Sequence, residues 1–185
     1  MDRSADNRAV IWAGLLLGIG MGGFFDGIVL HQILQWHHLL SSTPEFPPTT
    51  VANLQVNTLW DGLFHAATWI ATAAGLALLW RAARRPHPPW STRFWVGLLL
   101  MGWGAFNLVE GTVDHHLLGI HHVNETVPAG QRGIWDIGFL LWGAAMLVGG
   151  WLLARSGERE QDGLAASDAA GFGGRAAAQG SHGRG

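Results

Sequence analysis

The chain reads as all-α: a polytopic membrane protein whose four-transmembrane-helix bundle is built from a duplicated two-helix unit. Three observations predict this. Four long apolar stretches, about Ala9 to His31, Thr58 to Trp80, Phe94 to Asp114 and Ile134 to Leu153, carry most of the hydrophobic residues. Each is near the ~20 residues a helix needs to cross ~30 Å of hydrocarbon. One long motif occurs twice: Asp26-Gly-Ile-Val-Leu-His31-Gln-Ile-Leu-Gln-Trp-His37-His38 returns as Glu110-Gly-Thr-Val-Asp114-His115-His-Leu-Leu-Gly-Ile-His121-His122. Trp60-Asp61-Gly-Leu-Phe64 is likewise echoed by Trp135-Asp136-Ile-Gly-Phe139, so the repeating unit is a helix pair.

Taken in order, residues 1–8 are a short polar N-terminus, residues 9–154 the transmembrane domain with repeat units 9–80 and 94–154, and residues 155–185 a tail. The first apolar stretch carries Asp26 and His31 and lacks a small-residue cleavage site, which argues against a cleaved signal peptide. Its Gly18-Ile-Gly-Met-Gly-Gly23 run lets a neighbouring helix approach closely. This helix is expected to run on to about Leu40, where Ser41-Ser-Thr-Pro-Glu-Phe-Pro-Pro48 breaks it. Thr49 or Thr50 can cap the second helix, and Val51 to Asn57 is compatible with its start. Arg84-Arg-Pro-His-Pro-Pro89 makes a short stiff link, after which Ser91 or Thr92 can cap the third helix. Pro128-Ala-Gly130 marks the turn before the fourth. The tail, His182 included, is Gly, Ala and scattered charge that cannot bury a core, and is expected to be disordered and cytoplasmic.

Apart from histidine, every basic side chain is Arg. Arg3 and Arg8 precede the first helix, Arg81, Arg84, Arg85 and Arg93 flank the middle connection, and Arg155 and Arg159 follow the fourth helix; the other two connections hold only Arg132. For a multi-pass protein of the cell inner (plasma) membrane, the positive-inside rule then places both termini and the middle connection in the cytoplasm, and both His-rich motifs toward the outer face. Cysteine is absent, which removes disulfides and thiolate ligands. The chain has no phosphate-binding loop, dinucleotide fingerprint, serine elbow or basic patch, so no nucleic acid is expected as a partner and the lipid bilayer is.

Helical rise turns sequence position into depth. Counted at ~1.5 Å per residue from the Arg boundaries, Asp26, Asp61, Glu110 and Asp136 fall at one level near the edge of the hydrocarbon. His65 lies about one turn below Asp61, and His31, Asp114 and His115 about one turn above the acids. An unpaired ion at this depth costs several kcal/mol, so these groups are expected to face one another and to share a metal, a partner charge or water. Asp61 and His65, four apart, share a helix face. Histidine and carboxylate without thiolate suit a divalent transition metal: iron, manganese, zinc or copper(II). The His37-His38 and His121-His122 pairs would stand ~9 Å or more above the acids if their helices stay straight. Joining them to the same centre requires a second level of sites or a helix that unwinds. A satisfied polar network that fixes helix register, or a proton pathway, is the competing account of the acids and imidazoles; for the His pairs it is solvation at the outer face. Asp114 and His116 stand where the first copy has Leu30 and Gln32, so the halves are not chemically equivalent.

The two His-rich motifs, extended as Phe106-Asn-Leu-Val-Glu110 in the second, and Asn57-Thr-Leu-Trp-Asp61-Gly-Leu-Phe-His65 resemble those of the bacterial membrane proteins known as domain of unknown function 2243. The resemblance covers about Ala9 to Leu153 and implies membrane class and architecture, with no activity attached. Two functions fit the residues. One is a membrane metalloprotein with an outer-facing, dinuclear centre for redox or hydrolytic chemistry. The other is a non-enzymatic metal or proton carrier, or an assembly factor, serving a respiratory complex or a metal-delivery partner.

Overall fold

In a computed structural model the described residues, 3–84 and 90–181, are helical wherever they are regular, and side chains are described for 8–84 and 90–163. The Arg85–Pro89 part of the middle link, with His87, and His182 lie outside them. The elements are α1 (Arg3–Phe24), which passes directly into a first π-helical segment (Phe25–Ile33), α2 (Val51–Ala83), α3 (Thr92–Glu110), which passes into a second π-helical segment (Gly111–Leu117), and α4 (Ala129–Ser181). Four stretches are long and apolar enough to cross a membrane: Arg8–Ile33, Val51–Ala83, Thr92–Leu117 and Ala129–Gly163.

The caps follow side-chain chemistry. The Thr50 hydroxyl accepts from Asn53 N at 3.2 Å and Ser91 from Arg93 N at 3.2 Å, each satisfying a backbone donor that a helix start leaves open. Beyond Ala154, α4 continues: Gly157 packs on Phe94, and the Ser91 hydroxyl donates to Glu160 at 2.6 Å, so the described helix runs past the boundary that composition sets at 155.

Among the described residues α1 and α3 form the central pair, with α2 packed on α1 and α4 on α3. Glycine makes that centre close. A Cβ added to Gly18 would lie 2.9 Å from Gly102 Cα, and one on Gly102 would lie 3.0 Å from Gly18 Cα, so the two backbones touch where no larger side chain fits. Gly97 and Gly150 bring α3 and α4 together in the same way.

The first helix does not reach Leu40. It widens to π geometry at Phe25 and ends at Ile33, closed by Leu34 N to Val29 O at 2.8 Å and Trp36 N to Leu30 O at 2.9 Å. The second copy ends identically, with Leu118 N to Val113 O at 2.8 Å and Ile120 N to Asp114 O at 3.0 Å. Gln35 (φ 49°) and Gly119 (φ 59°) then reverse the chain at matching positions in left-handed geometry, which stops a right-handed helix. The two connections beyond these residues pair over the end of the bundle: Ser42 N donates to Ile120 O at 2.9 Å, Glu125 N to Trp36 O at 2.9 Å, and Ser42 Oγ to Glu125 Oε1 at 2.6 Å.

The glycine contact is open to measurement. Gly102→Leu, which must push α1 from α3, is expected to lower the unfolding midpoint in detergent by several degrees or prevent folding, whereas Gly62→Leu, at a site with no neighbour within 4 Å, should leave it nearly unchanged. Equal midpoints for the two variants would refute close α1–α3 packing.

Candidate metal centre

Unwinding after Ile33 and Leu117 changes the depth of both His-His pairs. Instead of standing above the acids, His37 and His121 turn down between the two π segments, their rings stacked with centroids 4.5 Å apart. His31 meets His37 edge-on at 4.3 Å and His115 meets His121 at 4.8 Å, so four imidazoles from both halves form one cluster. All four are buried, His31 and His121 completely.

Each half adds a carboxylate to its two rings. His31 Nε2 lies 3.1 Å and His37 Nε2 3.9 Å from Asp26; His115 Nε2 and His121 Nε2 both lie 2.9 Å from Glu110 Oε1. Asp26 and Glu110 occupy corresponding places in the two copies of the motif, and the wider i→i+5 winding of π geometry carries His31 and His115, each five residues further on, round toward them. Ligand atoms sharing an ion with bonds of ~2.0–2.2 Å stand about 3 to 4 Å apart, the spacing found here. Two overlapping groups, His31, His37 and His121, and Glu110, His115 and His121, have ligand atoms within 4.8 Å of one another.

Three of the four Nδ1 atoms point outward to fixed acceptors, and that of His115 makes no hydrogen bond. His31 Nδ1–H donates to Asp61 Oδ1 at 2.9 Å, His37 Nδ1–H to Val123 O at 2.9 Å and His121 Nδ1–H to Leu39 O at 3.1 Å; His115 Nδ1 sits 3.6 Å from Asp136 Oδ1. His37 and His121 thus each hold the connection belonging to the opposite half. Such outer hydrogen bonds set the tautomer and aim Nε2 inward. The interior of the cluster is under-satisfied: His31 Nε2, His37 Nε2, His115 Nε2 and Glu110 Oε2 are buried and make no hydrogen bond, although acids stand nearby. Buried polar atoms normally find partners, and unsatisfied imidazole and carboxylate atoms grouped this closely are a donor set that suits a metal ion.

Outside the membrane-spanning segments, burial pushes His37 well below the usual imidazole range, and the neighbouring His121 and His31 push it further, so His37 is a neutral ring with its proton on Nδ1. Burial also opposes charge on His121, but its hydrogen bond to Glu110 and that carboxylate's charge outweigh burial and raise it. A metal entering there would displace a proton from His121.

Asp61 and Asp136 are hubs at the edge of the cluster. Asp61 accepts from His31, from His38 Nδ1 at 2.7 Å and from Leu39 N at 2.9 Å; Asp136 accepts from His122 Nδ1 at 2.7 Å and Val123 N at 2.9 Å. His38 and His122 are therefore tied to carboxylates at the rim. His65 stands apart: its Nδ1–H donates to the Asp61 backbone carbonyl at 2.7 Å, and its ring lies beside Phe24 and Phe64. Asp114 lines an adjacent cavity. Sequence reasoning passed over Asn57, fully buried, which accepts from Leu40 N and donates to Phe46 O, and Glu125, which accepts from His122 N. The polar Asn57 one turn before Asp61 in an apolar stretch was a usable signal; the Leu39 and Val123 carbonyls left none.

These features define a multi-pass membrane protein with buried histidine and carboxylate groups positioned to hold metal. Residues 13–157 match the family described as "Predicted membrane protein (DUF2243)", and the chain belongs to that family. No curated protein and no solved structure matches it.

The hub role of Asp61 predicts that Asp61→Ala, which strands two imidazoles and a backbone N–H, costs about 3 kcal/mol or more. Asp61→Asn should cost less because an acceptor remains. Equilibrium unfolding in mixed micelles measures both, and a change under about 1 kcal/mol in the alanine variant would remove Asp61 from this role.

Proposed function

We propose that the protein is a membrane metalloprotein with a resident dinuclear centre, one ion held by Asp26, His31 and His37 and the other by Glu110, His115 and His121. The observation that carries this is the gathering of buried Nε2 atoms without hydrogen bonds, those of His31, His37 and His115, around two carboxylates, while the Nδ1 atoms of His31, His37 and His121 are fixed outside. Two histidines and one carboxylate with further positions open are the donor set of non-haem iron(II) sites, and two such sets side by side suit iron or manganese, with zinc or copper(II) next. Such ions supply redox chemistry with oxygen or, if zinc, a water activated for hydrolysis. The chain itself holds the imidazoles aimed, His37 as a neutral ring, and keeps bulk water out. Asp61 and Asp136 orient the outer layer in this reading.

The carrier or assembly-factor reading has less support, because a metal that is to be handed on needs exposed, exchangeable ligands and these rings are buried and anchored. A single-ion centre is favoured by the cross-half group His31, His37 and His121 and by His121 belonging also to the group with Glu110 and His115. The matching contacts of the halves support a duplicated two-helix unit with a pseudo-twofold axis along the membrane normal. With the arginine distribution, the centre then lies toward the outer face of a bacterial inner membrane, with both termini in the cytoplasm.

Elemental analysis of protein purified in mild detergent tests the centre. About two ions of iron, manganese, zinc or copper per chain are expected for wild type, and about one for the single-ion arrangement. His31→Ala and His121→Ala should lose bound metal, while His65→Ala and His116→Ala keep it. Protein that stays metal-free after incubation with each ion, or loss in the His65 variant equal to that in the His121 variant, would overturn the reading.

A further inference from the structure

A cavity of about 340 Å³ lies beside the histidine cluster, between α1, α2, α3 and the second π segment. Phe64, Phe106, Val109 and Val113 form apolar walls, and Glu110 and Asp114 are the acids among them. Every lining residue belongs to a segment long and apolar enough to cross the membrane. Val109 is 64% exposed on the flank of the bundle, the surface that meets lipid, so the cavity is entered sideways from hydrocarbon. Glu110 is common to the cavity and the histidine cluster: its Oε1 faces His115 and His121, while its Oε2 is buried without a hydrogen-bond partner.

These features select an occupant. The apolar walls and lipid-facing mouth favour a molecule that partitions into the bilayer. Two carboxylates repel an anionic headgroup. A plain hydrocarbon would fill the walls and lay apolar surface against the Asp114 carboxyl group, whereas an O–H donor would hydrogen-bond it.

We propose that this cavity binds a lipid-soluble alcohol or phenol drawn laterally from the bilayer, its hydroxyl donating to Asp114 and its apolar body lying against Phe64 and Phe106. This deepens the metal reading and rests on it in one respect: the molecule is assigned as the substrate class of the centre because Glu110 serves both. Binding itself requires only the cavity.

The test uses a long-chain 4-alkylphenol and the matching alkylbenzene, with retention on the full chain followed by native mass spectrometry and metal content measured on the same samples. Wild type is expected to retain one alkylphenol per chain and to bind the alkylbenzene at least about tenfold more weakly, the discrimination due to one lost hydrogen bond. Ala105→Phe, which fills the cavity, and Val109→Trp, which closes its mouth, should each abolish retention with metal content unchanged. Asp114→Leu should narrow the preference for the phenol. Equal retention of both probes by wild type, or undiminished phenol binding in both cavity variants, would overturn the proposal. Retention by metal-free wild type supports the cavity while sinking the metal centre; metal-loaded wild type that retains no phenol does the reverse.

Discussion

Ionisable groups within a membrane-spanning segment have to be paired, and the pairing of Asp61 and Asp136 organises the rest of this molecule. Each carboxylate projects from a long helix into the bundle and gathers groups that are distant in sequence: a histidine of the pair beyond a π segment and the backbone N–H of the next residue. Asp61 also takes His31 from the π segment itself. One side chain therefore fixes a helix, a π segment and a connection at once. Removing its charge from water is costly, and the cost is offset only if all three stay in register.

The central helices make this pairing possible. Glycine-to-glycine contact between α1 and α3 sets the two π segments side by side, so His37 and His121 can stack and each can reach a backbone carbonyl belonging to the other half. That exchange locks the halves together more specifically than apolar packing does, since helices in lipid gain little from burying hydrocarbon against hydrocarbon. It also fixes ring orientation without spending a carboxylate on every imidazole, which leaves Asp26 and Glu110 facing inward. The under-satisfied cluster is thus held by a largely hydrogen-bonded frame, and its imidazole and carboxylate groups are positioned to hold a metal ion.

The arrangement has a lipid-side aspect as well. Glu110 belongs both to the cluster and to the cavity on the bundle flank, so the two share one residue. Apolar walls on one side and a dry polar cluster on the other keep that carboxylate away from bulk solvent, where its interactions would be screened.

By itself the sequence determined the membrane class, the four helices and the repeated histidine and acid pattern, because apolar length and repetition are local properties of a chain. It also put Asp26, His31 and Asp61 near one level, and Glu110, His115 and Asp136 likewise, because helical rise is constant along a regular helix. Depth alone did not separate roles: Asp61 and His65 share a face four residues apart, yet Asp61 turns to the cluster and His65 bonds back to its own helix. Straight helices held His37 and His121 away from the acids, and only the folded chain decided otherwise. Wide π turns and left-handed residues at Gln35 and Gly119 end the helices early, and the two connections pair across the bundle. Those choices depend on hydrogen bonds between residues far apart in the chain, carried largely by backbone carbonyls that have no sequence signature.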